Sequence, residues 1–120
     1  MDLQIEAERL KNYVLKIYPC KHDFELKVID KRPKTLNGSY TVQTKRMRIY
    51  IKGRGLMEIK RTTIHEYAHH IHETEKRVNP NRRQERVHGP EFWRILTALT
   101  CRAMLMGIFE DAYVVDLFKR

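Results

Sequence analysis

The motif His65-Glu66-Tyr67-Ala68-His69 constrains the fold of this chain more than any other feature of its sequence. Residues four positions apart lie above one another on one face of an α-helix, so both imidazoles reach a single metal ion only if the helix is continuous. Apolar residues that would turn this helix towards a core recur at helical spacing: Ile64, Ala68 and Ile71. The glutamate next to the first histidine projects beside the metal, where it accepts a proton from a metal-bound water. The motif therefore predicts a helix that carries two zinc ligands and a general base.

A catalytic zinc usually has three protein ligands and one open position, so a third ligand is needed. The sequence offers four candidates: His72, Glu85, His88 and Glu91. A site that used His72 with both motif histidines would spread over about 10 Å of straight helix, at ~1.5 Å per residue, which is too long for one ion. The metzincin pattern is absent, because it requires Gly at position 72 and His at position 75. His88 is favoured, because it follows a segment long enough to reverse direction and stands at a predicted helix start.

The pattern of apolar residues divides the chain into helices and strands. The predicted order is a helix over 3–18, strands around 24–28, 40–42 and 47–51, a helix over 56–75, a polar loop over 76–87 and a helix over 91–106, while 112–118 is a short helix or a strand. Trp93, Met104 and Leu105 are expected to widen the buried stripe of the last helix. This order predicts a single α+β domain over 1–120, with helices packed on one face of a small three-stranded sheet.

Composition limits the class of protein and its partners. The chain has 120 residues, a net charge of +9 and two cysteines. No apolar run is long enough to span a bilayer, and the first residues do not form a secretory signal, so we expect a cytoplasmic protein without membrane contact. Two cysteines exclude a disulfide framework and a Cys-only zinc site. The basic charge favours an anionic partner.

A second motif, His88-Gly89-x-x-Phe92-Trp93, follows the first. The two motifs together resemble the SprT-like zinc metallopeptidases, which are related to the YgjP-like and WLM-type families. The resemblance covers roughly 47–99. It implies a minimal zincin-like fold of gluzincin type, with one Zn²⁺ bound by His65, His69 and His88 and with Glu66 as the general base. Many SprT-like proteins add a Cys₄ zinc ribbon, for which this chain has too few cysteines, so it would be a bare catalytic core.

The resemblance also implies how a protein or peptide substrate would bind. The strand that ends near Ile51 is expected to be the edge strand, which binds an extended peptide through its backbone. A second donor besides the metal usually stabilises the transition-state oxyanion. His72, Arg94 and Tyr113 are candidates for this donor, and the sequence does not choose among them.

Four other residues near the motifs have simpler interpretations. Tyr67 is expected to pack in the core, and His70, which points away from the metal face, is expected to be solvated. Glu73 and Glu91 could orient a ligand imidazole, and each is equally well an ordinary surface acid.

Basic residues gather in runs that are expected to flank the cleft, over 45–54 along the predicted edge strand and over 82–86 in the loop before His88. Such a rim would contact DNA through its phosphate backbone with little sequence specificity.

Three functions remain open. The leading one is a zinc-dependent metalloendopeptidase that acts on DNA-associated proteins. The second is a regulatory peptidase that cleaves one dedicated partner protein. The third is a non-catalytic, zinc-stabilised nucleic-acid-binding module, and Glu66 argues against it, because a structural zinc site does not need a general base.

Overall fold

The computed structural model describes residues 2–75 and 88–110. Its elements, in chain order, are α1 (Leu3–Ile17), β1 (Glu25–Ile29), β2 (Gly38–Thr41), β3 (Arg46–Tyr50), α2 (Leu56–Thr74) and α3 (Pro90–Leu105). The predicted order of helices and strands is confirmed, and most of the boundaries fall within one or two residues of the predicted ones. The predicted loop over 76–87 and the undecided element over 112–118 lie outside the described residues.

The three strands form a mixed sheet in the order β1-β3-β2. β1 pairs with β3 in parallel, and β2 pairs with β3 antiparallel, so Met47 lies between Leu26 and Tyr40. The prediction that the strand ending near Ile51 is the edge strand is therefore wrong. β2 and β3 form an antiparallel hairpin, which places β2 on one side of β3, and β1 pairs with the other side of β3. The edge strand next to α2 is β2.

The core lies between one face of the sheet and the helices. Alternation along the strands directs apolar side chains towards the helices, which supply further buried residues. The strands contribute Leu26, Val28, Met47 and Ile49, and α1 contributes Leu10, Val14 and Ile17. The opposite face of the sheet carries charged side chains, including Lys27, Arg46 and Arg48. This arrangement confirms the α+β class with helices on one face.

α3 buries a narrower stripe than its sequence suggests. Phe92, Leu99 and Ala103 are buried, but Trp93 is 51% exposed and Leu105 is 89% exposed, so the prediction that these two widen the buried stripe is wrong. Each residue of a helix is turned about 100° from its neighbour, so Trp93 lies well away from the line through Phe92.

In the ranges 2–75 and 88–110, none of the helices combines the length and the apolar character that crossing a bilayer requires.

Candidate metal centre

Two helices bring the predicted zinc ligands together. His65 and His69 lie one turn apart on α2, with ring centroids 5.0 Å apart. His88 directly precedes Gly89, the N-cap of α3, whose first residue is Pro90. The Nε2 atoms of His69 and His88 are 3.2 Å apart, and one nitrogen from each of the three histidines lies within 4.8 Å of the other two. The three residues predicted from sequence therefore converge.

The donor set fits Zn²⁺. Two nitrogens bound to one tetrahedral zinc, each at about 2.0–2.1 Å, lie about 3.3–3.4 Å apart, close to the distance between His69 and His88. Burial, together with the neighbouring imidazole of His88, lowers the pKa of His65. Burial and the nearby imidazoles lower the pKa of His69 to about 4. Both rings are therefore neutral at pH 7, which is the form that binds a metal ion.

Phe92 packs against all three imidazoles. Its ring is stacked on His69 at a centroid distance of 4.3 Å, and it meets His65 and His88 edge-on at 5.2 and 5.0 Å. The side chain is fully buried. Phe92 therefore fixes the rings relative to one another, because each ring would lose packing contacts if it rotated.

Glu66 lies beside the candidate metal ligands. Its side chain is buried but borders the same cleft as the three histidines. Desolvation by burial raises the pKa of Glu66 to about 7. A carboxyl group with this pKa both accepts and releases protons near neutral pH.

Gly38 allows β2 to approach α2 closely at this point. A Cβ atom at Gly38 would lie 2.8 Å from Thr62 Cγ2, 2.9 Å from the Arg48 carbonyl oxygen and 3.2 Å from Glu66 Cγ. The edge strand thus passes directly over Glu66. Gly38 matters here because it has no side chain.

The cleft has a volume of about 620 Å³ and runs between β2 and α2. Leu36, Gly38, Tyr40 and Val42 line it from the β2 side. Arg61 and Glu73 line it from α2, together with the histidines and Glu66. A larger cavity, of about 850 Å³, lies beside α1 and the end of α3. None of the candidate metal or catalytic residues lines that cavity, so the smaller cleft is the candidate site.

Two other predicted ligands within the described residues, His72 and Glu91, do not join the cluster. His72 is buried and lies 6.3 Å from the Phe92 ring, and Glu91 pairs with Arg94 on α3. Within 2–75 and 88–110, only the three histidines form a group able to hold a metal ion. Glu85 lies outside the described residues. Of the predicted oxyanion donors, His72 and Arg94 do not line the cleft, and Tyr113 lies outside the described residues.

His70 has a structural role, and the prediction that it is solvated is wrong. It is fully buried rather than solvated. Its Nε2 lies 2.7 Å from the His22 carbonyl oxygen, so Nε2 donates and Nδ1 accepts from the Tyr40 hydroxyl at 2.8 Å. The prediction failed because the side of α2 away from the metal faces other protein segments. The prediction that Tyr67 packs in the core is confirmed.

The basic residues of β3 do not flank the cleft. Arg46 and Arg48 lie on the sheet face opposite the core, where Arg46 pairs with Glu25 at 3.0 Å. The predicted basic rim along the edge strand is therefore wrong, because β3 is central and its polar side chains point away from α2. The basic run over 82–86 lies outside the described residues.

Comparison of the chain with family models, curated proteins and solved structures found no match.

Proposed function

We propose that the chain is a zinc-dependent metalloendopeptidase of SprT-like type. The observation that supports this proposal is the convergence of His65, His69 and His88 beside Glu66 in an open cleft. A structural zinc site usually has four protein ligands, whereas a catalytic site keeps one position free. Within 2–75 and 88–110, three imidazoles next to a carboxyl group match the catalytic arrangement better.

The proposed roles follow from the chemistry of each group. When bound, Zn²⁺ supplies a Lewis acid that activates water and polarises a peptide carbonyl. The imidazoles of His65, His69 and His88 would provide the nitrogens that hold the ion. The carboxylate of Glu66 accepts a proton from the attacking water and returns it to the departing amine nitrogen. Phe92 keeps the three rings in place throughout.

The edge strand β2 is the proposed binding element for the substrate. It borders the cleft and is an edge strand among the described residues, and an extended peptide can pair with an edge strand through backbone hydrogen bonds. Because Gly38 passes over Glu66, a peptide paired along β2 would bring its backbone close to the catalytic carboxylate.

DNA-associated proteins are the proposed physiological substrates. The net charge of +9 and the cationic outer face of the sheet, with Lys27, Arg46 and Arg48, favour contact with DNA phosphates. This face is opposite the core side of the sheet, so DNA bound there would leave the cleft open for a protein substrate.

The test is cleavage of β-casein, a disordered protein, by the zinc-loaded chain with and without single-stranded DNA. Glu66→Gln should lower the rate by at least 100-fold while it still binds one zinc, and Glu8→Gln, an exposed acid on α1, should leave the rate unchanged. Cleavage by wild type and Glu66→Gln at equal rates would overturn the assignment of Glu66. Failure of the zinc-loaded wild type to cleave any protein would favour the non-catalytic module.

The DNA arm of this experiment distinguishes the two enzymatic proposals. Stimulation by DNA supports substrates that are associated with DNA. Cleavage that depends on Glu66 but is the same without DNA supports a dedicated protein partner.

A further inference from the structure

Two exposed apolar side chains line the candidate cleft. Leu36 is 46% exposed and Val42 is 49% exposed, and both border the space between β2 and α2. Single apolar residues on a protein surface are common and need no explanation. These two differ because they share a concave site with the candidate metal ligands. Covering such side chains by a bound partner would be favourable, because it removes their apolar surface from water.

The two side chains lie on opposite sides of the candidate reaction centre. Gly38, which passes over Glu66, stands two residues after Leu36 and four residues before Val42. A peptide extended along β2 would therefore meet Leu36 on one side of the scissile bond and Val42 on the other.

The segment that carries Leu36 is held in a fixed position. Arg54 donates from Nη2 to the Leu36 carbonyl oxygen at 3.3 Å, and its Nη1 pairs with Glu58 at 2.9 Å. The Arg54 side chain is only 4% exposed, and its bond to the Leu36 carbonyl lies at the protein surface. The position of Leu36 is thus set before any ligand binds, which reduces the entropy cost of binding.

The strand between the two apolar residues is fixed as well. Tyr40 reaches across to α2 and bonds to His70, and Gly38 packs against Thr62. Val42 follows β2 directly and begins the turn over 42–45. The side of the cleft formed by β2 is therefore a preformed surface with an apolar contact at each end.

We propose that Leu36 and Val42 determine the specificity of the cleft by selecting peptides with large apolar side chains on both sides of the scissile bond. This inference rests on the proposed peptidase function, whose substrate class it specifies. A hydrophobic contact of this size discriminates against a small or polar side chain by about tenfold or more.

The experiment maps the sites at which zinc-loaded protein cleaves a library of dodecapeptides. Wild type should favour Leu, Ile, Val, Met or Phe at two positions, one on each side of the cleaved bond. Leu36→Gln should weaken one preference about tenfold, and Val42→Thr should weaken the other. Ile5→Gln changes a residue of equal exposure, 47%, on α1 away from the cleft, and it should keep the wild-type profile. Cleavage without an apolar preference, or a preference that survives both cleft substitutions, would overturn the proposal.

A binding measurement separates this inference from the proposed function. Glu66→Gln, loaded with zinc, is titrated with fluorescein-labelled dodecapeptides that carry Leu or Ser at the flanking positions. We expect anisotropy to show about tenfold tighter binding of the Leu peptide, and the added Leu36→Gln substitution to remove most of that difference. If the Leu peptide binds more tightly but the wild type cleaves no peptide, the peptidase assignment is refuted and the apolar peptide site is retained. Equal binding of both peptides would refute the apolar site whether or not the wild type is active.

Discussion

His69 and His88 have Nε2 atoms 3.2 Å apart, although they are 19 positions apart in the chain. His69 lies in α2 and His88 directly precedes α3, and Phe92 of α3 packs against both rings. The distance between the two candidate ligands is thus set by the packing of two helices around one aromatic side chain. Since the folded chain already brings the three candidate ligands close together, a metal ion would bind with little rearrangement.

Zinc should bind to this site with one ion per chain and should stabilise the fold. Zinc at 100 times its Kd would raise the free energy of unfolding by about 2.7 kcal/mol, because it binds the folded state. His88→Ala should lose most of this stabilisation, whereas His22→Ala, which changes an exposed histidine elsewhere, should retain it. Calorimetric titration and thermal unfolding with and without chelator measure both effects. Equal zinc affinity in His88→Ala and wild type would show that His88 is not a ligand.

Gly38→Ala should disturb the contact between β2 and α2. The added methyl group would lie 2.8 Å from Thr62 Cγ2 and 2.9 Å from the backbone oxygen of Arg48, and the backbone atom cannot easily move away. We expect a loss of about 1–3 kcal/mol in the free energy of unfolding, as for other overpacked sites, and a lower cleavage rate because Glu66 is displaced.

Gly55→Ser is the matched control for this change. A Cβ atom at Gly55 has no neighbour within 4 Å, and serine is a favourable N-cap residue for α2. Urea unfolding should show no loss of stability in Gly55→Ser. A stability of Gly38→Ala equal to that of wild type would mean that the close approach of β2 to α2 is not required.

Local patterns were sufficient to predict the parts of the site that lie within one helix. The spacing of His65, Glu66 and His69 depends only on helical geometry, and the apolar period identifies that helix. His88 was found because its position before a helix start, with Gly89 and Pro90, is also a local signal. The structure places all four residues at one cleft, as expected from these signals.

Features that depend on pairing between distant segments could not be predicted in the same way. The position of β3 in the middle of the sheet depends on its parallel pairing with β1, and strand composition does not encode this pairing. The environment of His70 is formed by Tyr40 and by the His22 carbonyl oxygen. Both residues are distant from α2 in the sequence, so the helical pattern of α2 does not predict these contacts. For the same reason, the role of β2 as the edge strand at the cleft became apparent only from the sheet order.

Tyr40→Phe should destabilise the protein, because it leaves the buried Nδ1 of His70 without its donor. The expected loss is about 1–3 kcal/mol in the free energy of unfolding, measured by urea denaturation. Tyr50→Phe, on the opposite face of the sheet, should cost less. Long-range ¹H–¹⁵N NMR should find the His70 proton on Nε2, and a proton on Nδ1 instead would contradict the hydrogen-bond assignment.

The pH dependence of stability should include a contribution from Tyr13. Its hydroxyl donates to the Ile108 carbonyl oxygen at 2.9 Å, and burial raises the pKa of Tyr13 to about 12. An unfolded tyrosine titrates near pH 10, so between about pH 10 and 12 the folded state binds more protons than the unfolded state. The stability that Tyr13 contributes is therefore complete below pH 10 and is lost as the pH rises above it.

Tyr13→Phe tests this contribution. At pH 8 the variant should be about 0.5–1.5 kcal/mol less stable than wild type, because it lacks one hydrogen bond. Above pH 10 its free energy of unfolding should fall less steeply than that of wild type, since it has one fewer buried phenol that must remain protonated. Urea unfolding at half-unit steps from pH 8 to 11.5 measures both curves. If the free energy of unfolding fell equally steeply in both proteins, the raised pKa of Tyr13 would be contradicted. If the two curves converged at high pH but differed by less than expected at pH 8, only the contribution of the hydrogen bond would be smaller than expected.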